Sequence, residues 1–417
     1  MKSQIKIIVL LLCCCLYGTL SGKPKTTYKM SITQNSISSF SVKLDITLQG
    51  NYCSNDTVFI NLGGQFFEEE GETFSAVSNL TVKSKQNIPF IFDKENSKIK
   101  ICKKDIKNNK ISLEYGFTFI WGTGINCTDF GTLFYNNTAD DNPLPVVQNI
   151  DSVYFSAQIK TLKNFICLSN NNDKYTDINQ IALCFIDTTH LIQKHFDTKF
   201  CKTNIFANDT TLTDTFLNEL GRKTGDCLNY FATNISPCRF KEFNVIEWPN
   251  FWGSTCIGGI ACVKESAFKT YTVFHEITHE WIDGQVITKD GSKGEYLTKE
   301  SLNEYLMTQF LRYEEGDSLY QVQIKNYTDN YDKYLSKNED KSIWNITKYV
   351  TSTHPIIMYK QVILLDELAQ KVGYDKLNSV IFDFLKRTMG QKIEATQFLN
   401  VLKENFGQPA IDYCEKI

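Results

Sequence analysis

The spacing of apolar residues changes about halfway along the chain. From residue 39 apolar side chains occupy every second position, which predicts a half-buried strand. These apolar positions are Phe40, Val42, Leu44, Ile46 and Leu48. Further strands are predicted at 57–62, 80–83, 88–92, 98–102 and 111–121, with turn-forming residues between them. Short strands at regular intervals without helices between them indicate an all-β sandwich or saddle.

Beyond about residue 200 the apolar residues recur at helical spacing instead. Helices are predicted at 213–220, 266–283, 298–313, 355–373 and 394–407. Pro355 lies at a predicted start, Gly221 and Gly284 follow predicted ends, and Asp375 is predicted to cap one more helix;. The pattern therefore predicts an α+β protein with a β-rich N-terminal domain over 23–200 and a mostly helical domain over 201–417.

Composition and charge place the chain among globular proteins. It has 417 residues, of which 42% are apolar and 22% charged, and a length of this order is typical of two domains;. The formal net charge of −3 provides no basic surface for a polyanion;. Nucleic acid is therefore not an expected partner.

The N-terminus has the pattern of a secretory signal peptide over 1–22. Lys2 and Lys6 precede a short apolar run, and small residues follow it;. The alternative is an uncleaved anchor, but a bilayer span needs about 20 apolar residues and this run is shorter. We expect a secreted protein, or one in the lumen of the secretory pathway, with no membrane span after cleavage.

Cysteines and glycosylation sequons agree with export. Of the 14 cysteines, Cys13, Cys14 and Cys15 lie in the signal. In an oxidising compartment we expect most of the others to form disulfides, with at least one unpaired because their number is odd. Sequons for N-linked glycans occur at Asn55, Asn79, Asn126, Asn136, Asn208, Asn234, Asn326 and Asn345;.

A metal-binding pattern lies in the second predicted helix, at His275-Glu276-Ile277-Thr278-His279. Residues four apart lie on one helix face, so both imidazoles can bind one ion. Glu276 lies beside that face, where its carboxylate can reach a water instead of the metal. This H-E-x-x-H arrangement is typical of zinc peptidases. The alternative is a pair of surface histidines with a solvated glutamate.

A catalytic zinc takes three protein ligands and leaves one position open. The predicted helix over 298–313 offers Glu300 in its first turn and Glu304 one turn later. We predict Glu300 as the third ligand, and Glu304 could orient a histidine. Either could instead lie on a solvated helix face.

At these residues the sequence resembles the aminopeptidase N and leukotriene-hydrolase family of gluzincin zinc metallopeptidases. The matching residues are His275-Glu276-x-x-His279-x-Trp281 and Tyr296-Leu297-x-x-Glu300-Ser301-Leu302-x-x-Tyr305-Leu306. The resemblance implies a thermolysin-like catalytic domain, one zinc per chain and a peptide or protein substrate. Twenty residues separate His279 from Glu300, slightly more than is usual in the family, and Ser301 replaces a glycine. A helical C-terminal domain is not expected.

Two other family features concern the binding of the substrate. Tyr359, in Met358-Tyr359-Lys360-Gln361, lies where the family has the tyrosine that binds the oxyanion, although a packed core tyrosine is the alternative;. The family's exopeptidases carry a glutamate that binds the substrate's amino group. The nearest segment here is Gly258-Gly259-Ile260-Ala261-Cys262, which has no carboxylate. Glu247 or Glu265 would then have to bind the substrate's amino group.

The sequence thus predicts a secreted, aminopeptidase-like zinc metallopeptidase. His275, His279 and Glu300 would bind zinc, Glu276 would act as general base, and Tyr359 would stabilise the oxyanion. The alternative is an inactive, peptidase-like secreted binding protein. His190 and His195 are expected on the surface, and His354 could line the cleft or have a loop role.

Overall fold

The computed structural model describes residues 26–50, 52–62, 66–69, 72–75, 77–93, 98–118, 127–128, 130–135, 144–150, 152–171, 173–249 and 253–417. The chain divides into two compact units. The second comprises 186–417 together with 128–130 and 168–170, and the first contains the other described residues. The second unit begins earlier than the change of hydrophobic pattern near residue 200. The predicted signal peptide at 1–22 lies outside the described residues.

The strands are numbered along the chain. They are β1 (Thr27–Gln34), β2 (Ser39–Thr47), β3 (Thr57–Asn61), β4 (Phe66–Glu69), β5 (Glu72–Ser75), β6 (Val77–Ser84), β7 (Gln86–Asn87), β8 (Ile91–Asp93), β9 (Lys98–Cys102), β10 (Lys110–Thr118), β11 (Cys127–Thr128), β12 (Gly131–Tyr135), β13 (Val146–Val147), β14 (Ser152–Lys160), β15 (Phe165–Leu168), β16 (Lys174–Asp177), β17 (Ala182–Asp187), β18 (Ile192–Asp197), β19 (Lys202–Ala207), β20 (Glu242–Trp248), β21 (Thr255–Ile257), β22 (Ile260–Lys264), β23 (Ile287–Thr288) and β24 (Lys392–Ile393).

The first unit is built on β-sheets, as the alternating pattern predicts. In the described residues its largest sheet has the order β16-β14-β1-β2-β10-β6-β7. Strand β2 is antiparallel to β1 and β10, whereas β1 and β14 are parallel. Phe40, Val42 and Leu44 are buried while Lys43 and Asp45 are exposed, so the period of two places one face of β2 in the core;.

Two predicted strands have different limits in the structure. The strand predicted at 88–92 begins only at Ile91, because Ile88 to Phe90 form no strand ladder. The strand predicted at 111–121 ends at Thr118, and 119–121 lie outside the described residues. Strand β1, which pairs with β2, and strand β14, which pairs with β1, were not among those predicted.

The second unit combines a five-stranded sheet with most of the helices of the described chain. The sheet order is β18-β19-β20-β22-β21, with β19, β20 and β22 parallel to one another and β21 antiparallel at the edge. The helices are α1 (Asp214–Asn234), α2 (Glu265–Phe268), α3 (Thr272–Thr278), α4 (Leu302–Glu315), α5 (Asp317–Leu335), α6 (Gln361–Val372), α7 (Tyr374–Thr388), α8 (Ala395–Phe406) and α9 (Gln408–Lys416). A β-rich first part followed by a mostly helical second part confirms the predicted α+β class.

Helix α1 does not end at Gly221 as predicted but continues to Asn234. Gly221 lies inside the helix because the helix packs closely on the sheet there. A Cβ at Gly221 would lie 2.0 Å from the Phe196 ring, and one at Gly225 would lie 2.8 Å from Thr198. Close packing, and not helix termination, therefore explains the glycine.

The single helix predicted at 266–283 is wrong, because the structure has two short helices, α2 and α3. Between them the Thr270 hydroxyl donates to the carbonyl of Ala267 and accepts from the backbone N–H of Thr272. Such local side-chain bonds compete with the helical ladder. After Thr278 the chain continues in tight turns, in which the N–H groups of Glu280 and Trp281 bond carbonyls three residues earlier.

The other predicted helices differ mainly at their ends. π-Helical turns at Leu297–Ser301 and Pro355–Lys360 precede α4 and α6. Asp375 lies in the first turn of α7 and does not cap it, because Gly373 occupies the N-cap position. Glu394 caps α8 in a capping box with Gln397;. Helices α5 and α9 were not predicted.

The expected disulfides are not seen among the eleven cysteines of the described chain. The thiols of Cys201 and Cys238 hydrogen-bond each other, which lowers the pKa of Cys201 and raises that of Cys238. None of the described helices combines the length and apolarity that a membrane span requires.

Candidate metal centre

Helix α3 carries the two histidines of the H-E-x-x-H segment. His275 lies in its last turn and His279 is the residue that ends it. Their Nε2 atoms are 3.2 Å apart. Val273 and Ile277, on the opposite side of the helix, are fully buried in the core of the unit. The apolar residues of the segment therefore fix the helix so that both imidazoles point to one side.

Glu300 completes a group of three potential ligands. It lies in the π-helical turn before α4, and its Oε2 atom is 3.5 Å from Nε2 of His275 and 3.6 Å from Nε2 of His279. The ligand atoms of the three residues all lie within 4.8 Å of one another. π-Helical turns inside α-helices are frequent at functional sites. The structure thus brings together the three residues predicted as ligands.

Glu304 has a different role from Glu300. Its Oε2 atom lies 2.5 Å from Nδ1 of His275, and its Oε1 atom accepts a hydrogen bond from the Tyr327 hydroxyl. A carboxylate on the second nitrogen of a ligating imidazole fixes the tautomer and the ring orientation. Of the two functions that the sequence left open for Glu304, the geometry favours the orienting one.

Hydrogen bonds to the backbone hold the remaining parts of the centre. Asn303 donates its Nδ2 to the carbonyl of His275 at 2.9 Å, and Nδ1 of His279 lies 3.3 Å from the carbonyl of Ile282. Beside His279, the buried carboxylate of Glu280 pairs with Arg239 at 3.1 Å. Glu280 therefore braces the C-terminal end of α3 and does not face the group of ligands.

Glu276 is buried, with 5% of its surface exposed. Burial raises the pKa of its carboxyl group, and the imidazoles of His275 and His279 oppose that effect without cancelling it. A carboxylate whose pKa is raised toward neutrality is better suited to accept a proton and return it. Its position next to His275 agrees with the predicted role as a base.

The charges of the three potential ligands are strongly coupled. Burial would raise the pKa of Glu300, but His279 and His275 outweigh it and hold that pKa well below its usual value. For His275, burial opposes the charged form, but hydrogen bonds to Glu300 and Glu304 raise its pKa well above the usual value. Two imidazoles and one carboxylate form the donor set of many catalytic zinc sites, so these residues fit the ion that the sequence predicts.

Tyr359 lies in the π-helical turn before α6 and is half-buried. Its ring stacks on that of Tyr327, with centroids 5.5 Å apart and an interplanar angle of 23°. Because Tyr327 also donates to Glu304, Tyr359 is linked to the metal centre through two contacts. Burial, and the negative charge of Glu304, raise the pKa of Tyr359. Its phenol therefore keeps its proton and can act as a donor.

The segment aligned with the family's amine-binding strand forms a turn and the start of an inner strand of the sheet. Gly258 and Gly259 have φ of 60° and 76° and form the turn between β21 and β22. Ala261 is fully buried in the inner strand β22. The edge strand next to β22 is β21, whose residues Thr255, Cys256 and Ile257 are half-buried.

The two acids suggested as substitutes are placed elsewhere. Glu247 accepts hydrogen bonds from the backbone N–H groups of Asn208 and Asp209, both at 2.8 Å. Glu265 is exposed in the short helix α2. These contacts do not bring either carboxylate to the three potential ligands.

Three residues around the metal centre were not predicted from the sequence. They are Tyr327, Asn303 and Tyr349. Tyr327 lies on α5, a helix that the apolar pattern did not reveal. No fixed spacing connects it with His275 or Glu304, so only the packing of α5 on α4 shows its role. His190 and His195 are exposed, as expected, and His195 contacts Asn204 within the sheet.

Comparison with solved structures identifies the class of fold. An M1 zinc metallopeptidase from Deinococcus radiodurans aligns with a TM-score of 0.66 over 94% of both chains, at 14% identity. A mutant of that enzyme bound to a Tyr-Ser-Ala substrate gives 0.67 over 93% of both chains, also at 14% identity. Leukotriene A4 hydrolase from Saccharomyces cerevisiae gives 0.61 at 11% identity, covering 93% of this chain and 66% of that one.

The fold of this protein is that of the M1 zinc metallopeptidases, which confirms the predicted resemblance at the level of structure. No family model and no curated protein matches the chain by sequence. Within this fold the His-His-Glu group is arranged so that it can hold one metal ion, and its donor set fits zinc;.

Proposed function

We propose that this protein is a zinc metallopeptidase that hydrolyses peptide bonds. The observation that supports this best is the convergence of His275, His279 and Glu300 to within 4.8 Å in the M1 fold. A zinc ion bound there would supply a Lewis acid and lower the pKa of a water molecule. The carboxylate of Glu276 is buried, and the charges of the two imidazoles act on it.

Each residue of the centre then has a defined task. Glu276 accepts a proton from the attacking water and delivers it to the leaving amine. Tyr359 donates a hydrogen bond to the oxyanion of the tetrahedral intermediate. Glu304 holds the ring of His275 in place. These roles place proton transfer on a buried carboxylate and charge stabilisation on a tyrosine whose ring is stacked on Tyr327.

The finer part of the proposal is cleavage in the manner of an aminopeptidase. It is supported by the M1 fold and by the tripeptide substrate bound to the mutant Deinococcus enzyme. Product analysis on a mixed peptide library tests it. Stepwise loss of N-terminal residues is expected, and cleavage of N-acetylated peptides at internal bonds would contradict the exopeptidase assignment.

The variant Glu276→Gln tests the proposed chemistry. Glutamine keeps the shape of the side chain but cannot accept the proton, so turnover should fall by about 10²–10⁴-fold. Zinc content should stay at one per chain, because Glu276 is not a proposed ligand. Glu404→Gln, on the exposed face of α8, is the matched control and should leave activity unchanged. Turnover by Glu276→Gln at the wild-type rate would contradict the mechanism.

The second candidate is a peptidase-like binding protein without activity. The observation that favours it is the position of Ala261, Glu247 and Glu265, which places no carboxylate at the aligned amine-binding segment. Zinc bound without cleavage of any free or N-blocked peptide would support this candidate over the peptidase.

We also propose that the protein is secreted. The N-terminal signal pattern supports this, and so do the sequons. Asn55, Asn79, Asn326 and Asn345 are exposed in the structure, as glycan attachment requires;.

A further inference from the structure

Three side chains next to the metal centre form a continuous hydrogen-bonded row. The hydroxyl of Tyr349 lies 2.7 Å from Nδ1 of His354, and Nε2 of His354 lies 3.2 Å from the hydroxyl of Tyr359. Both ring pairs are perpendicular, with interplanar angles of 89° and 90°. The proposed function uses only Tyr359 of these three.

Independent contacts hold each member of the row. The backbone N–H of Tyr349 donates to the hydroxyl of Tyr296 at 3.1 Å, and the two rings pack at 6.1 Å. The backbone N–H of His354 donates to the carbonyl of Val350. Tyr359 stacks on Tyr327. The distances along the row are therefore set by the fold and not by the three side chains alone.

The tautomer of His354 decides where the proton of Tyr359 points. Burial lowers the pKa of His354, so the ring is neutral near pH 7 and carries one N–H;. If Nδ1 carries it, Nε2 can only accept, and the Tyr359 proton is directed at His354. If Nε2 carries it, the ring donates to the Tyr359 oxygen, and the phenolic proton is free for another acceptor.

We propose that Tyr349 fixes His354 as the Nε2–H tautomer, and that His354 thereby directs the hydroxyl proton of Tyr359 to the substrate oxyanion. Tyr349 donates to Nδ1, Nε2–H donates to the Tyr359 oxygen, and Tyr359 donates onward. A donor whose oxygen also accepts a hydrogen bond is polarised and becomes a stronger donor. Tyr349 and His354 are positioning residues, and their role rests on the oxyanion role proposed for Tyr359.

Kinetics of single and double variants test whether Tyr349 acts through Tyr359. Tyr359→Phe should lower kcat by about 10²–10³-fold. Tyr349→Phe removes one hydrogen bond and should lower kcat by about 2–10-fold with little change in KM. In the Tyr359→Phe background, Tyr349→Phe should have no further effect, because no phenol remains to be directed. An equal loss in both backgrounds would overturn the proposal.

Two comparisons separate positioning from simple packing. His354→Gln keeps an amide N–H that can reach Tyr359, so it should retain clearly more activity than His354→Ala. Equal activity of the two variants would contradict a donor role. Tyr313→Phe removes a hydroxyl from an exposed tyrosine on α4 and should leave kcat unchanged.

The tautomer can also be measured without activity. In the chain labelled with ¹⁵N-histidine, ¹⁵N chemical shifts distinguish protonated from unprotonated ring nitrogens, and His354→Gln assigns the signal among the five histidines. Near pH 7.5 we expect a protonated Nε2 and an unprotonated Nδ1, and a mixture in Tyr349→Phe. A protonated Nδ1 would overturn the proposal, even if Glu276→Gln had shown that the peptidase mechanism itself is wrong.

Discussion

Three carboxylates lie around the same pair of imidazoles, yet each has different contacts. Glu300 faces both Nε2 atoms, and Glu304 bonds the opposite nitrogen of His275. Glu276 is buried and interacts electrostatically with both imidazoles. Residue type alone does not assign these tasks, because all three are glutamates. The atom that each carboxylate contacts determines whether it can bind a metal, orient a ligand or accept a proton.

Glu304→Gln is predicted to weaken zinc binding without abolishing it. The amide still reaches Nδ1 of His275 but lacks the charge that fixes the ring, so zinc affinity should fall by about 10–100-fold. Competition with a chelator measures this. Tyr327→Phe, which removes the hydrogen bond to Glu304 and keeps the ring, should give a smaller loss in the same direction. Unchanged affinity in Glu304→Gln would show that the carboxylate does not support the ligand.

Helix α1 shows how packing overrides a sequence signal at the scale of elements. Gly221 was expected to end a helix, but it lies inside one because the Phe196 ring occupies the space of a side chain. In an isolated helix glycine is about 1 kcal/mol less favourable than alanine. Here the close packing of helix and sheet offsets that cost, because a larger side chain would clash with the Phe196 ring.

Gly221→Ala is predicted to destabilise the protein by about 1–3 kcal/mol, despite the better helix propensity of alanine. The added methyl group would lie 2.0 Å from the Phe196 ring, so the ring or the helix must move. Gly225→Ala is the matched comparison. Its methyl would meet Thr198 at 2.8 Å, and it should cost less. Urea unfolding measures both, and a stabilised Gly221→Ala would contradict the packing argument.

A second feature at this scale links the segment after α5 to the π-helical turn that carries Tyr359. The nearly buried Lys360 donates to both carboxylate oxygens of Asp340, at 2.8 and 2.9 Å. Burial alone would raise the pKa of Asp340, but hydrogen bonds from Lys360 and Tyr331 outweigh it and lower that pKa below its usual 3.8.

The stabilisation from this pair is therefore present above about pH 4 and is lost as the pH falls through the lowered pKa. Asp340→Asn should destabilise the metal-free chain at pH 7 by about 1 kcal/mol, because Asp340 is half-exposed;. The difference between the variant and the wild type in urea unfolding should shrink progressively as the pH is lowered below 4. Asp329→Asn, in an exposed pair with Lys325, is the control and should change little at neutral or at acidic pH. A pH-independent difference for Asp340→Asn would contradict the assignment.

At the scale of the whole molecule, alternating apolar residues predict the β-rich unit, and apolar residues at helical spacing predict the helical unit. The sheets were predicted only in part, because the patterns of some strands were not recognised, among them β1 and β14, which pair with each other although they are distant in the chain. The expected disulfides depend on the compartment and are not seen in the described residues. Whether the protein enters the secretory pathway is therefore the main prediction at this scale.

Expressed in a eukaryotic secretory host, the protein is predicted to appear in the medium with an N-terminus near residue 23. Removal of N-glycans should lower its mass, and Asn326→Gln and Asn345→Gln should each remove one step of that change. Asn405→Gln is an exposed asparagine outside a sequon and serves as the control. An unglycosylated product that stays in the cytosol would contradict the proposal.

The sequence by itself determined the α+β class and the two histidines, because short-range spacing along a helix or a strand fixes which side chains share a face. The sequence also indicated Glu300, through its place in the first turn of the next predicted helix and through the family resemblance. It did not determine the role of Glu304, the break before α3, the continuation of α1 or the row from Tyr349 to Tyr359. Each of these depends on contacts between residues that are distant in the chain or on competition between local hydrogen bonds. Only the tertiary structure decides such contacts, because they form when separate elements pack against one another.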